Sequence, residues 1–204
     1  MQIKFNQKFP LSSPYGIILT GRLVFSCLLL IIICFMKYHY DGIGLVIWST
    51  WFFGFWSALS FTAHIFGLQY NLSDSPGAVF YIPFAFLDFF IGLFGAFFHG
   101  IGTLICLVSL FDAARHSTGF FINYFLATIN CALLVIVFGY YSLLIYRKTP
   151  NGKLLAIREM IVQGDNITHL NLPTINNSAS GMAPAQPNHT MTGVSVFKTI
   201  QSPY

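Results

Sequence analysis

Long apolar runs separated by short polar segments dominate the first three quarters of the chain. Four of these runs are long enough to cross the ~30 Å apolar core of a bilayer as helices, at ~1.5 Å of rise per residue. They predict membrane spans at about 16–36, 43–66, 80–110 and 120–146. The pattern therefore predicts an all-α fold, an integral membrane four-helix bundle with short loops.

The composition changes on both sides of this bundle. A polar N-terminal segment, 1–15, precedes the membrane domain at 16–148, and a tail follows at 149–204. In the tail, KLLAIREMIV at 153–162 predicts a short amphipathic helix lying on the membrane face. After Gly164, Asn, Ser, Thr, Pro and Gly prevail over bulky apolar residues, which predicts a disordered C-terminal tail.

The third apolar run carries a stripe of small and polar residues whose spacing alternates between three and four. These eight residues are Ala85, Asp88, Gly92, Gly95, His99, Gly102, Cys106 and Ser109. The spacing places all eight on one face of a helix, and small residues allow helix backbones to approach closely in lipid. We expect the face to pack inside the bundle. The alternative is that the stripe lines a pore or substrate path, because ionisable residues such as Asp88 and His99 are often functional within a membrane.

Asp88 needs a partner at its depth, and Arg22 is the only basic residue within the four predicted spans. Both lie roughly 10 Å from the same side of the membrane, counted by helix rise. A charge at that depth is costly unless it is paired. We therefore predict an intramembrane ion pair, with snorkelling of Arg22 to the interface as the alternative. Asn123 and Asn130, one heptad apart, are predicted to hydrogen-bond between helices.

Composition excludes several classes of function. Only 8% of the residues are charged and 55% are hydrophobic, whereas a soluble domain carries roughly 25% charged residues. The net charge of +4 is too small to suggest nucleic acid. The four cysteines all lie in apolar runs and form no CxxC pair, so neither a disulfide nor a metal site is expected. No Ser-His-Asp arrangement, P-loop or HExxH motif supports catalysis, and we expect neither an enzyme nor a cofactor.

Charge also predicts the orientation of the bundle. With four spans both termini share one side, and six basic residues flank the bundle there: Lys4, Lys8, Arg147, Lys148, Lys153 and Arg158. The opposite side carries only Lys37 and Arg115. Because cytoplasmic segments collect Lys and Arg, both termini are predicted to be cytoplasmic.

Three features give the chain a resemblance to the MARVEL-domain family of four-span membrane proteins. They are Arg22 in TGRLVFSCLLL, Asp88 in FAFLDFFIGLFG, and the Ala-Arg pair of LFDAARHS after the third run. The likeness covers about Gly16 to Lys148 and is mostly one of topology. It implies cytoplasmic termini, self-association, a preference for sterol- or sphingolipid-rich membrane, and a role in trafficking, apposition or lateral organisation. The loop cysteine pair of occludin-type and synaptophysin-type members is missing here.

Three hypotheses of function follow. The first is a non-enzymatic multi-pass protein that organises membrane domains, apposition or cell junctions, or vesicle trafficking, by packing with lipids, other membrane proteins and copies of itself. It predicts Arg22 in contact with Asp88 in a dry bundle, at the plasma membrane or in vesicles and endomembranes. The second is a small transporter or channel that uses Asp88 and His99 and has a polar cavity reaching both faces. The third is an accessory subunit of a larger membrane complex.

Overall fold

Four long helices make up most of the structure. The computed structural model describes residues 5–36, 38–69 and 81–169. Helix α1 spans Tyr15–Cys34, α2 Ile43–Ile65, α3 Phe84–Ala114 and α4 Thr118–Arg147, and each is long and apolar enough to cross a membrane. The predicted four-span helical architecture is thus confirmed. The predicted disorder beyond residue 169 and the first residue of the predicted third span lie outside the described residues.

The helix ends differ from the predicted spans by a few residues. Helix α3 begins directly after Pro83 and continues to Ala114, and α4 already begins at Thr118. The Ser117 hydroxyl caps α4 by accepting a hydrogen bond from the Gly119 amide at 3.3 Å. Hydropathy predicts only the part of a helix that lies in lipid, whereas backbone hydrogen bonding extends α3 and α4 beyond it.

All four helices bury residues at spacings that alternate between three and four, not only α3. The buried series are Leu19, Arg22, Ser26, Leu29 and Ile33 in α1; Val46, Thr50, Phe53, Ser57, Ser60 and His64 in α2; and Tyr124, Ala127, Cys131, Leu134, Phe138, Tyr141 and Ile145 in α4. An average spacing of 3.5 residues keeps one seam of each helix facing its neighbours along the whole bundle. The outward positions between them are mostly Phe, Trp, Leu and Ile.

Helix α3 makes its most extensive contact with α4. Two glycines allow this approach: a Cβ on Gly95 would lie 2.5 Å from Phe138 Cδ1, and one on Gly92 would meet Ser142 Oγ and lie 3.0 Å from the Phe138 carbonyl oxygen. The Ser142 hydroxyl donates to the Phe89 carbonyl at 3.0 Å, so a side chain of α4 is also hydrogen-bonded to the backbone of α3 across the seam.

Both terminal segments fold against one end of the bundle and form a cap, defined here as residues 5–14 and 150–169. The cap contains an antiparallel hairpin of β1 (Met160–Val162) with β2 (Ile167–His169) and three 3₁₀ helices, Phe9–Leu11, Pro150–Gly152 and Leu154–Glu159. The end of the bundle that carries the α1–α2 and α3–α4 connections is called the loop end below.

The prediction of one amphipathic α-helix over 153–162 is therefore wrong, and the described chain remains ordered for five residues after Gly164. Three consecutive residues, Met160–Val162, are all buried, which no single face of a helix allows. In a strand, Met160 and Val162 share one face, which packs in a cluster with residues of α1, α3 and α4, whereas Ile161 lies on the opposite face and is also buried. Gly164, at φ +100°, supplies the backbone conformation that reverses the chain between the strands.

Hydrogen bonds tie the cap to the helices. The Gly164 carbonyl accepts from the amides of Tyr15 and Gly16, at 2.9 and 3.2 Å, where α1 begins. The Asn6 amide donates to the Ile65 carbonyl at 2.8 Å, where α2 ends. The start of α1 is thus held beside the hairpin, and the end of α2 beside the N-terminal segment.

Candidate functional site

Five buried polar residues from all four helices meet at the capped half of the bundle. We call this group the polar centre; it consists of Arg22 of α1, Ser60 and His64 of α2, Asp88 of α3 and Tyr141 of α4. Arg22, Asp88 and Tyr141 are each 0% exposed. The spacing of buried positions explains the meeting, since each member lies on the inward seam of its own helix.

Asp88 is the residue around which the polar centre is arranged. Its Oδ2 accepts a hydrogen bond from Ser60 Oγ at 2.7 Å and lies 3.8 Å from His64 Nε2. Its Oδ1 lies 3.9 Å from Arg22 Nη1. A direct charge-assisted N–H···O bond is about 2.7–2.9 Å long. Arg22 and Asp88 are therefore brought together as an electrostatic contact and not as a bidentate hydrogen bond.

Aromatic rings, not oxygen atoms, provide the close contacts of the Arg22 guanidinium. Its Cζ lies 4.3 Å from the centroid of Phe138 and 5.2 Å from that of Tyr141, both within cation–π range. None of its three nitrogens has a hydrogen-bond partner among the described residues. Arg22 therefore does not snorkel to the interface; its charge is held between Asp88 and two rings of α4.

His64 connects the polar centre to the cap. Its Nδ1 donates to the Ser60 carbonyl, one turn earlier, at 2.7 Å. The ring of Phe9, from the N-terminal 3₁₀ helix, stacks on the imidazole at a centroid distance of 4.9 Å and an interplanar angle of 30°. Because Phe9 is fully buried, the cap closes the polar centre from that end with an apolar ring.

All eight residues of the predicted stripe on α3 are buried. His99 does not reach Asp88 in the described contacts: its Nδ1 donates to the Gly95 carbonyl at 2.8 Å, and its ring stacks on Phe138 at 5.2 Å. The Phe138 ring thus contacts both His99 and Arg22. The histidine that lies beside Asp88 in the described chain is His64, whose Nε2 is 3.8 Å from Oδ2.

The two asparagines of α4 do not behave alike. Asn130 is buried, and its Oδ1 has no hydrogen-bond partner in the described part of the chain. Asn123 is half-buried and lines a surface cavity beside Phe35 near the loop end. In the part of the chain that the structure describes, neither asparagine side chain forms the predicted hydrogen bond to another helix.

Sequence reasoning did not identify Ser60, His64 and Tyr141 as members of one site. A signal was present on α2, because Ser57, Ser60 and His64 repeat the three-and-four spacing found on α3. The aromatic partner Phe138 carried no such signal, since one phenylalanine among 23 in the chain does not stand out.

The polar centre contains charged side chains but few groups that could bind a metal ion. No group of three or more His, Cys, Asp or Glu side chains in the described ranges could hold a metal ion. Three cavities lie at the periphery of the bundle, and none of the three is lined by Arg22, Asp88 or His99. The geometry therefore fits a group that joins helices, with one ion pair and one hydrogen bond acting across three of them.

Comparison of the chain with protein-family models, curated proteins and solved structures finds no match.

Proposed function

We propose that this multi-pass membrane protein is non-enzymatic and organises membrane domains, apposition or vesicle trafficking by packing with lipids and partner proteins. One observation carries the proposal: the side chains of the polar centre are buried and lie close to one another, whereas large apolar side chains cover the outside of the helices. Trp51, Phe55, Phe97 and Phe111 are all more than 60% exposed in the isolated chain. Such a surface is suited to contact with lipid and with other helices.

The resemblance to the MARVEL-domain family supports the same role and adds self-association, cytoplasmic termini and a location at the plasma membrane or in vesicles. Arg147, the last residue of α4, is exposed on the capped side, as are Lys148, Lys153 and Arg158 after it. This distribution is the one expected of a cytoplasmic face.

Reconstitution tests the organising role directly. The protein, carrying donor or acceptor fluorophores, is placed in giant vesicles with coexisting lipid phases, and energy transfer and partitioning between phases are measured. We expect energy transfer above that of random mixing and an uneven distribution between phases. The matched control is Gly44→Leu, on a lipid-facing position with no atom within 4 Å of an added Cβ, which should fold normally. Random mixing together with uniform distribution would refute the proposal.

A second candidate function is a small proton-coupled transporter, and one observation favours it. Asp88 Oδ1, His64 Nε2 and the Tyr141 hydroxyl lack hydrogen-bond partners within the described chain, as does the Arg22 guanidinium. Buried polar atoms are normally paired, and unpaired ones are often functional. An entrapped pH dye in the same liposomes distinguishes the two roles. Proton flux above that of protein-free liposomes, abolished by Asp88→Asn, would establish transport; the organising role predicts no flux.

A further inference from the structure

A groove of about 360 Å³ opens at the loop end, far along α3 from the polar centre. Its walls come from the α1–α2 connection and the last turns of α3, namely Tyr40, Asp41, Leu104, Ile105, Val108, Ser109 and Asp112. Two carboxylates and two hydroxyls thus share a groove with three aliphatic side chains.

The backbone of the α1–α2 connection builds one wall. Gly42 has a φ of +87°, and a Cβ there would lie 3.2 Å from Ile105 Cγ2, so the connection passes directly over α3. The Tyr124 hydroxyl of α4 accepts from the Tyr40 amide at 3.1 Å and fixes the connection from inside. This path brings Asp41 to the same groove as Asp112.

The side chains that line the groove include two carboxylates and no basic group. Within the described ranges, no basic side chain lies within 4.0 Å of Asp41 or Asp112. Burial and the nearby Asp112 carboxylate raise the pKa of the Tyr40 hydroxyl. A cation is therefore the complementary ligand for this end of the groove.

Below the carboxylates, the side chains that line the groove become polar and then apolar along α3. Ser109 lies three residues before Asp112, or about 4.5 Å deeper by helix rise. It is 97% buried, lines the groove, and its hydroxyl forms no hydrogen bond with any described residue. Deeper still, Leu104 and Ile105 provide an apolar wall, and Leu104 is exposed towards lipid. Along the helix the order is carboxylate, hydroxyl, aliphatic.

We propose that this groove binds a phospholipid whose headgroup carries a cationic nitrogen, such as choline or ethanolamine. The nitrogen lies between Asp41 and Asp112, beside the ring of Tyr40, which favours cationic ammonium groups. Ser109 donates a hydrogen bond to a phosphate or glycerol-ester oxygen, and one acyl chain lies along Leu104 and Ile105.

Two other occupants fit less well. A divalent cation such as Ca²⁺ takes about six to eight oxygen ligands, whereas the groove presents two carboxylates and two hydroxyls and is otherwise aliphatic. An anionic lipid would place its charge beside two carboxylates. The inference requires only a bundle that spans the membrane, so its failure would leave the organising role untouched.

The test uses the full chain in lipid nanodiscs with photoreactive lipids. Phosphatidylcholine and phosphatidylglycerol probes carrying the same photoreactive acyl chain are compared, and labelled peptides covering 104–112 are quantified. For the unaltered protein we expect labelling by the choline probe to exceed that by the glycerol probe about fivefold, as an interfacial ion pair would give. Asp41→Asn combined with Asp112→Asn should bring the ratio close to one. Asp165→Asn, an exposed carboxylate in the cap, is the matched control and should leave the ratio unchanged.

Several outcomes would overturn the proposal. They are equal labelling by the two probes in the unaltered protein, an undiminished ratio in the double asparagine variant, and loss of choline labelling on adding micromolar Ca²⁺, which would mark a metal site. Ser109→Ala provides a second measurement that keeps both carboxylates. It should lower labelling by both probes while preserving their ratio. Unchanged labelling would show that the Ser109 hydroxyl does not contact the lipid.

Discussion

The α3–α4 seam allows a quantitative test with a pair of glycines on one helix. At Gly95 an added Cβ would lie 2.5 Å from Phe138 Cδ1 and 2.8 Å from Cε1. Carbon atoms in favourable contact are about 3.5–4.0 Å apart. Gly95→Ala therefore requires either the ring or the helices to move by about 1 Å. The ring has little freedom, because it is fully buried between His99 and Arg22.

The expected cost follows from a comparison with Gly100→Ala. An added Cβ at Gly100 has no atom within 4 Å, and this residue lies in the same helix, five positions further along. Replacing glycine by alanine changes the backbone contribution equally at both positions, so the difference between the variants measures overpacking alone. Overpacking typically costs about 1–3 kcal/mol, or about 5- to 150-fold in the folding constant.

Reversible unfolding of both variants in mixed detergent micelles, followed by helical circular dichroism, gives this difference. We expect Gly95→Ala to have a lower free energy of unfolding than Gly100→Ala by that amount, and Gly95→Leu to be lower still. If Gly95→Ala and Gly100→Ala agree within about 0.5 kcal/mol, a value typical of surface substitutions, the seam is not close-packed and the reasoning fails.

Three further predictions concern the ion pair, the cap and the orientation. Arg22→Leu or Asp88→Leu alone should reduce the amount of assembled protein, because stranding a buried charge costs about 3–5 kcal/mol, and the double leucine variant should recover part of it; normal levels of both single variants would refute the pair. Ending the chain after His169 should leave the thermal unfolding midpoint unchanged, whereas ending it after Val162 should lower it by removing the hairpin partner; equal midpoints would show that the cap adds no stability. Asn166 should carry no glycan in a eukaryotic host, and a mass shift removed by glycosidase would reverse the proposed orientation.

Helix positions could be predicted because they depend on local composition. Twenty or more apolar residues are sufficient for a span, whatever surrounds them. The buried face of α3 could also be predicted, since small residues are conspicuous among phenylalanines and their spacing defines one side of a helix. The buried face of residues 85–109 can thus be predicted without knowing where the neighbouring helices lie.

The partners of Asp88 could not be predicted in the same way. Which residue faces it depends on the rotation and depth of α2 relative to α3, and a helix turns by 100° for each residue. Arg22 was identified because it is the only basic residue in the spans, whereas Ser60 and His64 were two polar positions among several on α2. Opposite charge identifies the partner of a buried residue when the spans contain one candidate, but not when several polar residues could take that place.

The conformation of the cap could not be predicted for a different reason. KLLAIREMIV has the composition of an amphipathic helix, and its conformation is decided by residues that lie far away in sequence. Phe9, Ile157 and Met160 belong to one buried cluster that also includes residues of α1, α3 and α4. A window of ten residues contains none of those contacts, so tertiary packing overrode the local pattern.

The hydrogen bonds between the start of α1 and Gly164 also have a consequence for biosynthesis. The amide of Tyr15 emerges from the ribosome 149 residues before the carbonyl that accepts its hydrogen bond. At about 5–20 residues per second, this delay is about 7–30 s. Until then Phe9 has no hairpin beside it. All four helices have therefore been synthesised before the hydrogen bonds that tie the hairpin to the start of α1 can form.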